Sequence, residues 1–188
     1  MWKIKLVVAV ILLGVSGCSV GLAARELRGR HAGFRVKTVM PLYELRAKRA
    51  LGEKLDATAW LQFNEGAVKA EHLFARGKAT GTFGAGGVGL DYYPFPSRLF
   101  GLSAGLESFA ASYRMRGNFG PLGQSESDRF FGFGVRLGFT GEIPLGRASR
   151  FHLLWGAGYG LSALQTHSAA VDLDGWYGQV GLRFSLEP

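Results

Sequence analysis

Within residues 129–142, from Phe131 to Thr140, the chain alternates between large apolar residues and residues that are mostly glycine. Phe131, Phe133, Val135, Leu137 and Phe139 fall on one side of an extended strand; Gly132, Gly134, Arg136, Gly138 and Thr140 fall on the other. Successive side chains of a strand point to opposite faces, so the separation of the two sets is complete. No other feature restricts the fold as much. A helix would scatter the phenylalanines around its circumference. A sheet with one wet face would carry Lys, Glu and Thr there, and this face is mostly glycine.

The pattern recurs along the chain. Phe151, Leu153, Trp155, Ala157, Tyr159 and Leu161 oppose His152, Leu154, Gly156, Gly158, Gly160 and Ser162. Trp176, Val180, Leu182, Phe184 and Leu186 oppose Tyr177, Gln179, Gly181, Arg183 and Ser185. Phe100, Leu102, Ala104, Leu106 and Ala110 alternate in the same way, and the Gly-rich stretch 80–93 reads as their partner. Strands of about 13 or 14 residues exceed the usual length in soluble sheets and reach across a bilayer when tilted. Small residues suit the crowded interior of a narrow barrel, and closure satisfies every backbone donor and acceptor in lipid. The fold class that follows is all-β: an antiparallel up-and-down transmembrane β-barrel, with eight strands.

Turns and aromatics fit the same layout. Segments 94–97 and 144–147 are short, whereas 114–128 and 164–174 are longer, polar and rich in Gly or Ser. Tyr92, Tyr93, Phe95, Phe100, Phe151 and Phe184 gather near the short turns, and Tyr113, Phe130, Phe131, Tyr159, Trp176 and Tyr177 near the long loops. Two such girdles mark the two interfaces of a membrane.

On these residues, over 80–186, the chain resembles the small eight-stranded outer-membrane barrels of the OmpA/OmpX-like kind found in Gram-negative bacteria. Gly181, Phe184 and Leu186 are similar to the C-terminal assembly signal of such barrels, although Val180 replaces the usual polar residue and Glu187-Pro188 follow the end of the pattern. The resemblance implies residence in the bacterial outer membrane, a porin-like closed wall, insertion by the barrel-assembly machinery, and contact with outer-membrane lipid and lipopolysaccharide. It also implies a non-enzymatic structural, adhesion or interaction role, with a protein partner at the extracellular loops and no cofactor. A narrow channel and a membrane-embedded lipid A-modifying hydrolase are the alternatives.

The N-terminus reads as an address. Lys3 and Lys5 precede an apolar run, Leu6 to Leu13, and then small residues, as in a secretory signal peptide. Val15-Ser16-Gly17-Cys18 resembles a bacterial lipobox, which would make Cys18 a lipidated N-terminus; ordinary cleavage after Gly21 and Ala23 is the competing reading. Ser19 resembles the pattern that permits sorting to the outer membrane. The expected organisation is therefore a signal peptide at 1–17, a lipid anchor and linker at 18–32, and the barrel at 33–188. A lone cysteine without any Cys/His cluster excludes an intramolecular disulfide and structural zinc.

Residues 24–79 are less regular. Ala32, Phe34, Val36, Thr38, Met40 and Leu42 read as the outer face of a first strand, which sends Arg35 and Lys37 inward. Ala57, Ala59, Leu61 and Phe63 read as a second, and 67–75 as a third after an Asn64-Glu65-Gly66 turn; a short amphipathic helix over 42–51 is the competing reading. The net charge is +8, and 24–56 holds nine Lys/Arg against four Asp/Glu. That excess is local, which argues against nucleic acid as a partner and fits anionic headgroups or a solvated basic face.

Strand phase assigns Arg35, Lys37, Asp91, Glu107, Arg136 and Arg183 to the lumen, where opposite charges pair in an ion network or line a narrow pore. No catalytic set emerges. His167, Ser168 and Asp172 evoke a hydrolase, but adjacent residues of a strand point apart and a polar loop explains them. The glycines at 84–89 lack the helix that a phosphate-binding loop needs, and no metal-ligand spacing is present.

Overall fold

A computed structural model describes residues 17–31, 34–72, 75–117, 124–146, 150–166, 171–172 and 174–185, with side chains described outside 27–38, 65–81, 113–128, 130 and 163–173. The signal-peptide expectation, apart from Gly17, lies outside these residues. Strands β1 (Gly17–His31), β2 (Phe34–Ala50), β3 (Leu55–His72), β4 (Ala75–Tyr92), β5 (Gly101–Gly117), β6 (Gln124–Pro144) and β7 (Phe151–Thr166) follow in order. The eighth, β8, runs in two pieces, Val171–Asp172 and Gly175–Ser185. Each strand pairs antiparallel with its sequence neighbours, and β1 pairs with both β2 and β8, so the sheet closes.

The stagger of the closed sheet can be walked around the wall. Starting at Ala50, register partners run Asp56, Asp91, Ser103, Gly138, Gly158, Tyr177 and Arg25, and return to β2 at Met40, ten residues from the start. With about 3.3 Å per residue along a strand and about 4.8 Å between eight strands, a ten-residue shear tilts the strands by about 40° and gives a backbone radius of about 8 Å. A wall that narrow leaves room for side chains alone.

The faces separate as the alternation dictates. Phe131, Phe133, Leu137 and Phe139 of β6, Leu102 and Leu106 of β5, and Trp176, Val180, Leu182 and Phe184 of β8 are exposed on the outer wall. Gly132, Gly134, Arg136 and Thr140 are buried within. Near the short turns Phe100 packs against Phe139 and Trp155, and Phe151 against Phe184; towards the other end Tyr159 stacks edge-on against Trp176.

Several expectations need correction. Residues 18–32, read as anchor and linker, form barrel strand β1 as far as His31: exposed Val20 and Leu22 alternate with buried Ser19, Ala23 and Arg25. On β2 the phase is the reverse of the expected one. Met40 and Leu42 point inward and join Ala23, Phe83, Ala85 and Phe109 in an apolar cluster, while Val39, Tyr43 and Leu45 are exposed. The backbone positions of Arg35 and Lys37 therefore share the row of Val39, not the inner row; their side chains lie outside the described ones. The 42–51 segment is strand, not helix, up to Ala50.

The expected Asn64-Glu65-Gly66 turn is also absent, because β3 runs straight through it with Gly66 opposite Gly81. Eight strands thus result from a different division: one is gained at the N-terminus, and two expected strands are one. The expected 114–128 loop is largely hairpin, with β5 and β6 paired from Gly101↔Thr140 up to Gly117↔Gln124. Tyr93 and Tyr177, expected in the interfacial girdles, are buried inside.

Candidate functional site

The interior is built from charge, aromatic rings and glycine. On β2 every second residue from Glu44 to Lys48 faces in, and Asp91 on β4, Glu107 on β5, Arg136 and Glu142 on β6, Arg183 on β8 and Arg25 on β1 meet them. At the end with the short turns, Lys48 Nζ lies 2.8 Å from Asp91 Oδ2 and 2.8 Å from Glu142 Oε1. Arg183 donates from Nη1 to Glu142 Oε2 at 2.5 Å. Tyr93, where the chain turns in after β4, accepts from Lys48 at 2.6 Å and donates to Glu142 at 3.2 Å. Burial pushes its hydroxyl up to about 12 against the lowering pull of Lys48, so the phenol keeps its proton. Arg98, in the turn below, pairs with Asp56 at 2.6 Å and covers the Tyr93 ring from 5.0 Å.

Further along the lumen Glu107 holds two cations, Arg25 at 2.6 Å and Arg136 at 3.5 Å. Arg46 extends the first group: it lies 3.2 Å from Glu44 and 3.9 Å from Asp91, and donates to Gln179 Oε1 at 2.7 Å. Guanidinium groups also stack on rings. Arg136 lies 4.0 Å from the Tyr177 centroid and 5.2 Å from that of Trp60, and Arg46 lies over the Trp60 ring at 5.9 Å. Cation–π contacts gain strength where water is excluded.

Glycine makes room for these large groups. A Cβ at Gly89 would sit 3.1 Å, and one at Gly105 3.0 Å, from Trp60 Cζ3, so the indole lies on a floor of strand backbone. Cβ atoms at Gly138 and Gly158 would meet the Tyr177 hydroxyl at 2.7 Å, and one at Gly160 would meet Arg25 Nη2 at 3.0 Å. The glycine face of the sequence is thus the bed of the lumen side chains, and that is the physical reason for its composition.

Of the residues that strand phase assigned to the lumen, Asp91 and Arg183 are buried inside in one group with Lys48, Glu142 and Arg46, and Glu107 and Arg136 in another with Arg25. Lys48, Glu142, Arg46 and Arg25 were missed, with Glu44, Trp60 and Tyr93. The alternation Glu44, Arg46, Lys48 against Tyr43, Leu45, Ala47 carried the signal for three of them. Chemically, a buried ion pair is costly to break from one side, because the remaining charge stays in a dry site. The arrangement fills and rigidifies the tube. Among the described residues no group of His, Cys, Asp and Glu is spaced to hold a metal. His167 and Ser168 lie outside the described residues. Cys18 is half-buried, and a groove of about 780 Å³ on the outer wall extends from it past Leu45, Leu61 and Val88 to Phe133.

No family model and no curated protein matches the chain. Solved structures do. Ail, the attachment invasion locus protein of Yersinia pestis, matches with a TM-score of 0.56 at 16% identity, over 91% of this chain and 99% of that one. Its complex with the heparin analogue sucrose octasulfate gives 0.55 at 12% identity, over 89% and 98%. The outer membrane protein OprG from Pseudomonas aeruginosa gives 0.50 at 14%, over 93% and 98%. At such identities the likeness speaks for the fold: this chain is a closed eight-stranded barrel of the kind found in outer-membrane proteins.

Proposed function

We propose that the protein is an integral barrel of the bacterial outer membrane that acts as a non-enzymatic structural, adhesion or interaction scaffold, its specific contacts made at the end opposite the short turns. The observation that carries this reading is the inverted distribution of polarity. The outer wall is apolar and the lumen, among the described residues, is packed with ion pairs and rings, a combination that suits lipid outside and a filled tube within. A barrel so filled offers a rigid wall on which loops make contacts. Adhesion in particular is suggested by the likeness to an attachment invasion protein. Outer-membrane lipid and lipopolysaccharide are the surroundings that this reading supplies, and the barrel-assembly machinery its route of insertion.

The same reading gives Cys18 a lipid. Cleavage after Ala23 would remove Gly17 to Ala23, each paired with β2 on one side and β8 on the other, whereas processing at the lipobox leaves the paired strand whole from Cys18. The apolar groove beside Cys18 has room for an acyl chain.

Carbonate washing of membranes tests the core of the proposal: the protein stays in the pellet, and quantitative release into the wash refutes it. Planar-bilayer recording of the purified barrel tests the filled lumen, for which no stable unitary conductance is expected; steady channels from the wild-type protein would favour a pore instead.

A further inference from the structure

A cation stands on the lower margin of the apolar wall. Arg49 of β2 shares its strand face with the exposed Tyr43 and Leu45 and is itself exposed, and among the described residues no carboxylate pairs with it. Two residues up the strand Ala47 is the direct partner of Ala59 on β3, and these two small side chains belong to the groove that Leu45, Leu61 and Val88 border. Opposite Arg49 itself is Ala57, followed by Leu90 on β4. Glu53 and Lys54, in the turn after β2, are both exposed and cancel in charge. An arginine on such a surface lays its methylene stem along apolar neighbours and needs a polar layer within reach of its head.

Strand tilt fixes the height of that head. At about 40°, one residue along a strand is about 2.5 Å of height, and one step between strands from β2 towards β6 rises about 3.1 Å. From Arg49 the register partners run Ala57, Leu90, Ala104 and Leu137, and Phe133 lies four residues further up β6. Phe133 is thus about 22 Å above Arg49, and Tyr92, two residues below Leu90, is within about 1 Å of its level. The apolar band of an outer-membrane barrel is about 25 Å tall, so Arg49 and the exposed Tyr92 stand at its lower edge, with the groove directly above them. The short turns lie at this end, which in such barrels faces the periplasm and a leaflet of phospholipid.

We propose that Arg49 and the groove above it form a binding site for an anionic phospholipid of the periplasmic leaflet, with the phosphate on the guanidinium and one acyl chain on the floor made by Ala47 and Ala59. The assignment rests on the membrane reading given above and names the lipid that this stretch of wall takes. A guanidinium offers a phosphate two parallel N–H donors, which a lipid without a phosphate cannot use. Cys18 borders the same groove from β1, but a chain carried on its sulfur brings no phosphate to Arg49. The groove crosses from β1 to β6, about 24 Å at the spacing of strands, so a chain anchored below Ala47 can lie beside one anchored at Cys18.

The test uses the exported protein in neutral detergent micelles, as wild type and as Arg49→Gln, Arg49→Lys and Ala59→Phe, each shown to be folded by its migration in unheated gels. Native mass spectrometry measures binding of dioleoyl phosphatidylglycerol and of dioleoylglycerol, which lacks the phosphate. A cation near an anionic headgroup contributes a factor of about five, so Arg49→Gln should bind phosphatidylglycerol about fivefold more weakly with dioleoylglycerol unchanged, and Arg49→Lys should keep most of the affinity. Ala59→Phe fills the floor of the groove and should weaken both lipids. Arg150, an exposed cation between β6 and β7, is the comparison, and Arg150→Gln should bind both lipids as wild type does. Wild-type affinity of Arg49→Gln for phosphatidylglycerol, an equal loss in Arg150→Gln, or wild-type binding of both lipids by Ala59→Phe overturns the proposal. So does binding that appears only after Cys18→Ala, which would leave the groove to the protein's own acyl chain. Soluble glycerol 3-phosphate bound as tightly as the lipid, with the same dependence on Arg49, overturns it too. Release from membranes by carbonate would instead refute the membrane reading beneath it.

Discussion

The bed of glycine under Trp60 makes a prediction that can be worked from distances. A methyl group added at Gly105 would lie 3.0 Å from Trp60 Cζ3 and 2.9 Å from the Val88 carbonyl oxygen, closer than packed side chains come. At Gly84, on the outer face of the neighbouring strand, the same methyl group meets nothing within 4 Å. Overpacking of this kind costs about 1–3 kcal/mol. An unhindered Gly→Ala change is worth about 0.4–1 kcal/mol in the opposite direction, through the unfolded chain. That gain is common to both changes, so Gly105→Ala should be about 1–3 kcal/mol less stable than Gly84→Ala. Trp60→Ala alone should cost about 3–5 kcal/mol, since a buried indole is lost with its two guanidinium contacts. In the Trp60→Ala background, however, the clash with the ring has gone and only the Val88 carbonyl remains, so the penalty at Gly105 should shrink by about 1–2 kcal/mol, the coupling energy of a double-mutant cycle. Urea titration in lipid vesicles measures all four forms, with fluorescence from Trp155 and Trp176 reporting unfolding when Trp60 is absent. Additive effects at Trp60 and Gly105, or a Gly105→Ala no worse than Gly84→Ala, would refute the packing argument.

Other substitutions probe other parts of the wall. Glu142→Leu removes the carboxylate shared by Lys48, Tyr93 and Arg183 and should cost about 3–5 kcal/mol in the same titration, with Glu142→Gln milder because its amide oxygen still accepts. Phe133→Arg and Leu137→Arg place charge on the exposed apolar wall and should each cost about 2–4 kcal/mol near the bilayer midplane, whereas Gly134→Ala is hindered by the Leu161 carbonyl at 2.7 Å; equal tolerance of arginine on both faces would contradict the assigned phase. Cys18→Ala should abolish the lipid mass increment of the exported protein while leaving a barrel that still migrates as folded in unheated gels, and an intact mass beginning at Ala24 would remove the claim.

The strands from β4 to β8 were legible because each devotes one face to lipid and the other to glycine, so hydrophobicity and side-chain size report the same phase. β2 broke that agreement. Its inner residues Met40 and Leu42 are apolar because they join Phe83 and Phe109 inside, and a reading that sends apolar residues outward inverts the strand. The charges at Glu44, Arg46 and Lys48 held the correct phase but resembled the polar stripe of a helix. β1 was hidden for a different reason: Cys18, Ser19 and Gly21 resemble a processing signal, and that resemblance drew the reading away from the strand they form. In β3 the turn-forming triplet Asn64-Glu65-Gly66 was overridden by the uninterrupted ladder with β4, in which a glycine opposite a glycine costs little packing. The lumen network was legible in part, because sequence phase names the side chains that point inward but not which of them meet across the tube.

The seam between β1 and β8 fixes an order in time. Neighbouring strands from β1 to β8 join residues close in sequence, so hairpins can zip as soon as their two halves exist, but Gly17 waits for Ser185 and Gly21 for Gly181. Contacts of such long sequence separation form slowly and late. The cylinder therefore cannot begin to exist as a cylinder until β8 has been synthesised and exported, and until then both rows of unpaired amides at the two open edges must be kept from other chains. Closure is bound to wait for β8, and damage to that strand should be felt first at β1.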